Sequence, residues 1–361
     1  MMKKLKLVVS DLHMGKGRVL PDGSINILED FIADEVWEEF LVHFSSENYR
    51  DYEIELILNG DIFDNIQIDY LGVHSPIVTE SIALVKFEKI IQGHPTFFKA
   101  LKNFLDQGNK KLTYIIGNHD IDMVWKSCQK RFEEEIDFET NFVFERYVAD
   151  GVHYEHGQQY EQVNHIEEEE LFLSDGLKEP ILNLPWGTHF VINFLIGLKK
   201  ERPAVDKVRP ISAFMRWSLV FDFWWFFKTL IRVFLYFFAT RFSKSIYRTS
   251  HLKTTFKIIK DISQRPSLTL AARKLLEADE SIHTVIMGHT HVPKYVQFPD
   301  GREYLNTGTW TEVTSLNLDT LGKHTRYTYV YVDYSSPKNR PYARLKEWKG
   351  RWHSDIDVYV G

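Results

Sequence analysis

Five short β-rich runs in this chain end in polar tips, and every tip carries aspartate, asparagine or histidine. Residues 6–9 run into Ser10-Asp11-Leu12-His13, residues 54–58 into Asn59-Gly60-Asp61, and residues 112–116 into Gly117-Asn118-His119-Asp120. Residues 152–155 run into His156-Gly157, and residues 283–287 into Gly288-His289-Thr290-His291. Helical patterns at 29–44, 79–107 and 268–279 lie between them. Strand, polar tip and helix in alternation predict an α/β fold with buried strands. Ligands in such folds gather beyond the carboxyl ends of the strands, where all five tips fall.

The alternation stops after Gly157. Residues from about 160 to 266 hold few strand signals and read as a largely helical insertion, and the α/β pattern resumes near 268 with late strands expected at 304–310 and 326–334. The expected organisation is a core in two parts, 1–160 and 268–361, interrupted by an insert at 161–267. The first apolar run is interrupted by Lys6 and closed by Asp11, too short for a signal-peptide core, so a buried strand is expected there. A single cysteine, Cys128, excludes an internal disulfide framework and a cysteine-rich zinc module.

The tips supply Asp11, His13, Asp61, Asn118, His156, His289 and His291 as candidate metal ligands. Mixed nitrogen and oxygen donors without sulfur suit Mn, Fe or Zn better than Mg or Ca. Seven donors exceed one tetrahedral ion and suit two adjacent divalent ions sharing a carboxylate. Such a pair, roughly 3.5–4 Å apart, clamps a phosphoryl group and activates water. Taken singly, Asp-x-His after a strand is an ordinary polar strand end and His289-x-His291 an ordinary turn. The ordered combination carries the inference.

That ordered set resembles the calcineurin-like metallophosphoesterase family. The family pattern D-x-H, GD-x-x-D/E, GNH-D/E, H and GH-x-H appears here as Asp11-Leu12-His13, Gly60-Asp61-Ile62-Phe63-Asp64, Gly117-Asn118-His119-Asp120, His156-Gly157 and Gly288-His289-Thr290-His291. The resemblance covers roughly residues 5–160 and 280–334 and implies a layered α-β-β-α sandwich, here with a helical insertion serving as a lid. It implies one ion on Asp11, His13, Asp61 and His291, and a second on Asp61, Asn118, His156 and His289, with Mn the first expectation. It gives His119 the role of donor to the phosphoryl group or the leaving oxygen. Asp64, expected one helical turn beyond Asp61, would orient that imidazole and raise its pKa. Lys16 and Arg18, just past the first tip, offer cationic contacts to phosphate, and Asn306 sits in an N-x-G-[ST] turn as a possible substrate contact.

Charge divides the chain unevenly. Residues 199–260 hold 14 Lys+Arg against three acids, Glu201, Asp206 and Asp222, a local +11 within a net charge of -6. Residues 214–238 hold 12 aromatic side chains. Asp222, Lys228 and Arg232 interrupt any 20-residue window there and argue against a transmembrane helix, each costing roughly 2.5–3.5 kcal/mol at a bilayer centre. An interfacial segment on an anionic membrane surface fits better, while a dimer interface remains open. The rings are too densely apolar for a nucleic-acid groove. An insert after the HG motif resembles the lid of the UDP-2,3-diacylglucosamine pyrophosphohydrolase branch, peripheral membrane enzymes that cleave a lipid-linked pyrophosphate. That branch commonly carries arginine at the position of His119, and this insert is longer. The expectation is a cytoplasmic enzyme, peripheral on the inner face of the membrane, acting on a lipid-linked phosphoester or pyrophosphate. The alternatives are a nucleotide phosphodiesterase or phosphomonoesterase whose insert dimerises, and a non-catalytic scaffold.

Overall fold

The computed structural model describes residues 3–203, 205, 207–209, 211–242, 267–316, 321–334, 340–351 and 356–358. Strands β1 (Lys3–Val9), β2 (Tyr52–Asn59), β3 (Lys110–Ile115) and β4 (Asn141–Val143) alternate with helices α1 (Asp34–His43), α2 (Glu80–Gly93), α3 (Pro95–Leu105) and α4 (Lys126–Ile136). A hairpin of β5 (Arg146–Ala149) and β6 (Val152–Glu155) follows. Next come the short strands β7 (Phe172–Leu173) and β8 (Ile181–Leu182), α5 (Trp186–Phe190), a π-turn at Val191–Leu195 and α6 (Ile196–Glu201). Then come β9 (Val208–Arg209), α7 (Ile211–Phe221) and α8 (Phe223–Phe242). The chain resumes with α9 (Leu268–Ala278), β10 (Thr284–Met287), β11 (Lys294–Gln297), β12 (Glu303–Asn306) and β13 (Val313–Ser315). It closes with β14 (Gly322–His324), β15 (Tyr327–Asp333), β16 (Tyr342–Trp348) and β17 (Ile356–Asp357).

Two sheets pack face to face between helices. The first runs β17-β16-β15-β1-β2-β3-β4 and the second β11-β12-β10-β6-β5. Alternation along the strands dictates the layers. Leu5, Leu7, Val9, Leu56 and Leu58 turn toward Trp37, Phe40, Phe87, Phe97 and Phe132 of the helices. Val8, Ile57 and Ile115 turn the other way and meet Val152, Tyr154, Ile286 and Leu305 of the second sheet. Val285, Met287 and Tyr304, on that sheet's far side, are covered by Leu268, Ala272 and Leu276 of α9. The order is helix, sheet, sheet, helix, the α-β-β-α sandwich expected.

Strands β1, β2 and β3 run parallel, as do β6, β10 and β12. The five polar tips therefore all leave from carboxyl ends of parallel strands. Two local expectations change. The 79–107 helix is two helices, broken where Pro95 starts a new one; proline lacks the N–H that would continue α2 but suits a first helical turn. Residues 61–64 form no helical turn. There the Asp64 N–H donates to Met14 O, extending the two neighbouring strand ends together.

The segment after β6 holds α5 to α8, as expected, but also three two-residue strands. β9 pairs in parallel with β13, and Leu171, Leu182 and Leu184 join the main core. Tyr236 of α8 packs on Trp186 and Phe190. Trp217, Phe221, Phe223, Trp224, Phe227, Phe234 and Phe238 of α7 and α8 are exposed, Trp224 to 80% and Phe221 to 73%, whereas Phe214, Trp225 and Phe226 are half-buried. No helix among the described residues is long and apolar enough to cross a membrane.

At the α2–α3 break, His94 faces Asp34 at 3.0 Å and Glu29 at 3.5 Å. Glu29 accepts the backbone N–H groups of Gly15 and Gly17, fixing the turn beyond the first tip. Burial alone would lower the His94 pKa, but the two carboxylates raise it to about 9. The imidazolium is bound in the fold, so its contribution is complete below the ordinary value near 6.5 and disappears as pH rises through 9. Unfolding free energy should fall by about 3 kcal/mol between pH 6 and pH 9.5, at about 1.4 kcal/mol per pKa unit. Urea titrations of parent and His94→Gln should show a fall shallower by that amount in the variant, the raised imidazoles of the strand-tip cluster still contributing.

Candidate metal centre

The tips of β1 and β2 are tied to each other before any side chain is considered. Asp11 N–H donates to Gly60 O, His13 N–H to Asp61 O and Met14 N–H to Ile62 O. Asp11, His13, Asp61, His289 and His291 all hold left-handed backbone, with φ of 53°, 52°, 52°, 69° and 60°. This conformation costs a non-glycine residue of order 1 kcal/mol and persists where the surroundings impose it. It turns each side chain back over its strand end. Glycines make the room: a Cβ on Gly60 would lie 2.5 Å from the His156 ring, and one on Gly117 would strike the Asp61 carboxylate.

The resulting cluster is dense. Asp11, His13 and His291 offer ligand atoms within 4.8 Å of one another, as do Asp61, His156 and His289, and His13, Asp61 and His119. His13 Nε2 and His291 Nε2 approach to 2.9 Å, with Asp11 Oδ1 3.3 Å from His291 Nε2. Asp61 Oδ2 lies 3.1 Å from His156 Nε2 and 3.8 Å from His13 Nε2, so one carboxylate touches both halves of the cluster. Six of the seven expected ligands fall in these groups, Asp11, His13 and His291 on one side and Asp61, His156 and His289 on the other. Asn118 follows Gly117 at the same edge, buried.

Two donors fit an ion better than they fit the protein. Asn118 Oδ1 is buried without a hydrogen-bond partner, and His156 Nε2, buried too, makes no well-aligned hydrogen bond although Asp61 Oδ2 lies 3.1 Å away; such buried polar atoms are costly. The other nitrogen of His156 is held by Asn59 O at 2.8 Å, which orients Nε2 toward Asp61. Facing imidazole nitrogens, buried carboxylates and orphaned donors form a set that divalent cations would satisfy.

Charge supports the same fit. Burial alone would raise the carboxyls of Asp11 and Asp61, but the surrounding imidazoles hold both well below the ordinary value. Reciprocally, burial would lower His13 and His156, yet the carboxylates raise His13 well above its ordinary value and His156 to about 9. The carboxylates hold positive charge in the cluster, as protons on imidazole or as metal. His119 stands slightly apart. Its Nδ1 lies 3.0 Å from Asp64 Oδ1, and its backbone N–H donates to Asp61 Oδ1 at 2.8 Å. Against burial, Asp64 and Asp61 raise its pKa.

No family model matches the chain, and no curated protein does. Among solved structures it is similar to a predicted phosphoesterase from Streptococcus pneumoniae, at 11% identity over 99% of each chain with a TM-score of 0.31. It is also similar to a dimetal phosphatase from Danio rerio, at 11% identity over 99% of each chain with a TM-score of 0.38. A Vps29 from Chaetomium thermophilum aligns at 10% identity over 99% of this chain and 95% of its own, with a TM-score of 0.32. At these scores the likenesses add nothing to the geometry.

The remaining candidates have other local uses. Asn306 is fully buried; its amide donates to Gly288 O and accepts from the Gly308 N–H, bracing the tip that carries His289. That occupation, rather than a substrate contact, is what its geometry supports. Lys16 is paired with Asp69, which also binds Lys89, and Arg18 is exposed. Asp120 joins Gly117 N–H, Ile62 N–H and Tyr114 O–H at one carboxylate; burial and nearby Asp61 raise its pKa to about 6. One contact was invisible in the sequence: Glu161 Oε2 lies 3.0 Å from His289 Nε2. Glu161 follows no strand and precedes an acidic run, so no local pattern distinguishes it. Gln67, which donates to Asp64 Oδ2, is equally unmarked.

Proposed function

We propose that this chain is a metal-dependent hydrolase of phosphoester or pyrophosphate bonds whose substrate is lipid-linked and met at a membrane surface. The observation that carries the proposal is the buried Asp61 carboxylate, within reach of both halves of a seven-donor set that has orphaned donors. Asp11, His13, Asp61 and His291 would hold one divalent ion and Asp61, Asn118, His156 and His289 the other. Mn is the first expectation, with Fe or Zn also accepted by these donors. Bound there, such ions supply Lewis acidity to phosphoryl oxygens.

The chain's own residues supply the rest. Asp64 fixes Nδ1 of His119 and favours the imidazolium, leaving Nε2 to give its proton to the departing oxygen. Buried strand tips hold these groups without rearrangement. The purified protein supplied with Mn should hydrolyse bis(p-nitrophenyl) phosphate, and the chelated protein should not. Absence of turnover with Mn, Fe and Zn alike would favour a scaffold. A panel of lipid-linked and free nucleotides then separates the lipid reading from the nucleotide one.

The membrane part of the proposal rests on α7 and α8. Phe223, Phe227, Phe234 and Phe238 form an exposed apolar stripe at helical spacing. Two of the three charges that interrupt it are paired, Asp222 with Arg202 at 2.5 Å and Arg232 with Glu201 at 2.9 Å, while Lys228 is exposed. Paired charges cost less to bring to an interface, and the surplus basic residues favour anionic lipid. Flotation should show binding to vesicles containing phosphatidylglycerol, weaker binding to neutral ones, and at least about tenfold less for Trp224→Ser/Trp225→Ser. A parent that fails to float but sediments as a dimer would assign the stripe to a second copy.

A further inference from the structure

A line of buried polar contacts joins the segment after β6 to the His119–Asp64 pair. Lys199, at the end of α6, is 1% exposed, although lysine is among the residues least often buried. Its Nζ lies 3.0 Å from Asp30 Oδ2, in the loop before α1. Lys207, just before β9, reaches the other oxygen of Asp30 at 2.8 Å. The amide nitrogen of Gln67 lies 3.4 Å from Asp30 Oδ2 and also donates to Asp64 Oδ2. Asp64 Oδ1 then faces His119 Nδ1 at 3.0 Å.

We propose that Lys199 is a positioning residue for His119, acting through Asp30, Gln67 and Asp64. The proposal rests on the acid role given to His119 above. Gln67 has one NH2 group shared between two carboxylates, and its balance depends on their charges. With Lys199 and Lys207 neutralising Asp30, the amide is free to hold Asp64 Oδ2. Asp64 has a choice of imidazoles, since His13 Nδ1 lies 3.7 Å from Oδ2 while His119 Nδ1 lies beside Oδ1. Holding Oδ2 keeps Oδ1 on His119. Without Lys199, the less compensated Asp30 draws the amide away and Asp64 swings between the two rings. Seating of α6 on the core is thereby linked to the aim of the acid.

The test compares Lys199→Met, Lys199→Arg, His119→Ala and His119→Ala/Lys199→Met, all with equal bound Mn. Two diesters are used, one with p-nitrophenolate and one with phenolate as the leaving group, because a proton donor matters most for the poorer one. Lys199→Met should lower kcat at least tenfold on the phenyl diester and less than threefold on the nitrophenyl diester, while Lys199→Arg stays near the parent. The double variant should be no slower than His119→Ala within about twofold, because both changes remove one function. In the metal-free protein, the His119 Nδ1–H proton signal, assigned by its loss in His119→Ala, should exchange at least tenfold faster in Lys199→Met. Equal losses on both diesters, multiplying losses in the double variant, or an unchanged proton signal would overturn the proposal. A steep leaving-group profile for His119→Ala beside a flat one for Lys199→Met overturns the coupling alone. A flat profile for His119→Ala removes the acid role and the coupling with it.

Discussion

Asp61→Ala should purify with less than about half a metal ion per chain, against the two expected for the parent, and its turnover should fall by about four orders of magnitude. The argument is geometric. Asp61 Oδ2 is the atom within 3.1 Å of His156 and 3.8 Å of His13, so its loss removes a ligand from both halves of the site. Removing metal chemistry worth several kcal/mol corresponds to that loss of rate, at about 1.4 kcal/mol per tenfold. Asp61 also accepts the His119 backbone N–H, so alanine disturbs the third tip. Asp61→Asn is therefore the companion variant, because a carboxamide keeps the shape and an acceptor while losing the charge. Metal analysis of both decides the matter. Two ions per chain in either variant would refute the shared-ligand role.

On the phenyl diester, His119→Ala should behave in the opposite way, keeping its metal and losing about 10²–10⁴-fold in kcat, the usual contribution of a positioned acid. Its Nδ1 is committed to Asp64 rather than to the donor groups of the cluster, so metal content should not follow the loss of activity. Asp64→Asn should lose less, because the imidazole stays but its proton is held less firmly. Asp64 also lies 3.7 Å from His13, so metal content must be measured alongside. Turnover equal to the parent would remove His119 from the mechanism. Loss of an ion would instead make it a ligand, which its place beside His13 and Asp61 makes worth measuring.

The parallel strands and their tips were legible because both signals are local: a short apolar run, then a polar cluster at the next few positions. The helix–sheet–sheet–helix order came from the family resemblance, and the two apolar faces of β1, β2 and β10 supply its physical basis. What escaped is non-local. Pro95 marked the break between α2 and α3, yet the apolar pattern runs through it. Between Asp61 and Asp64 an expected helical turn gives way to left-handed backbone at Asp61 and a bond from Asp64 N–H to Met14 O, because pairing between neighbouring strand ends outweighed local preference. Glu161, Gln67 and Asp30 carry no motif at all. Asp30 matters only because distant parts of the chain return to it, Gln67 from 37 residues away and Lys199 from 169.

The left-handed turns at five of the seven proposed ligands set stability and activity against each other. Glycine would adopt those backbone angles without penalty. A screen for heat resistance carried out on metal-free protein would therefore reward glycine where the side-chain pairing lost is weakest, as at His291 with its 20% exposure, and that exchange empties part of the centre. Hardy variants of this chain would tend to be inert ones. Directed evolution on it has to select for survival and turnover in the same round.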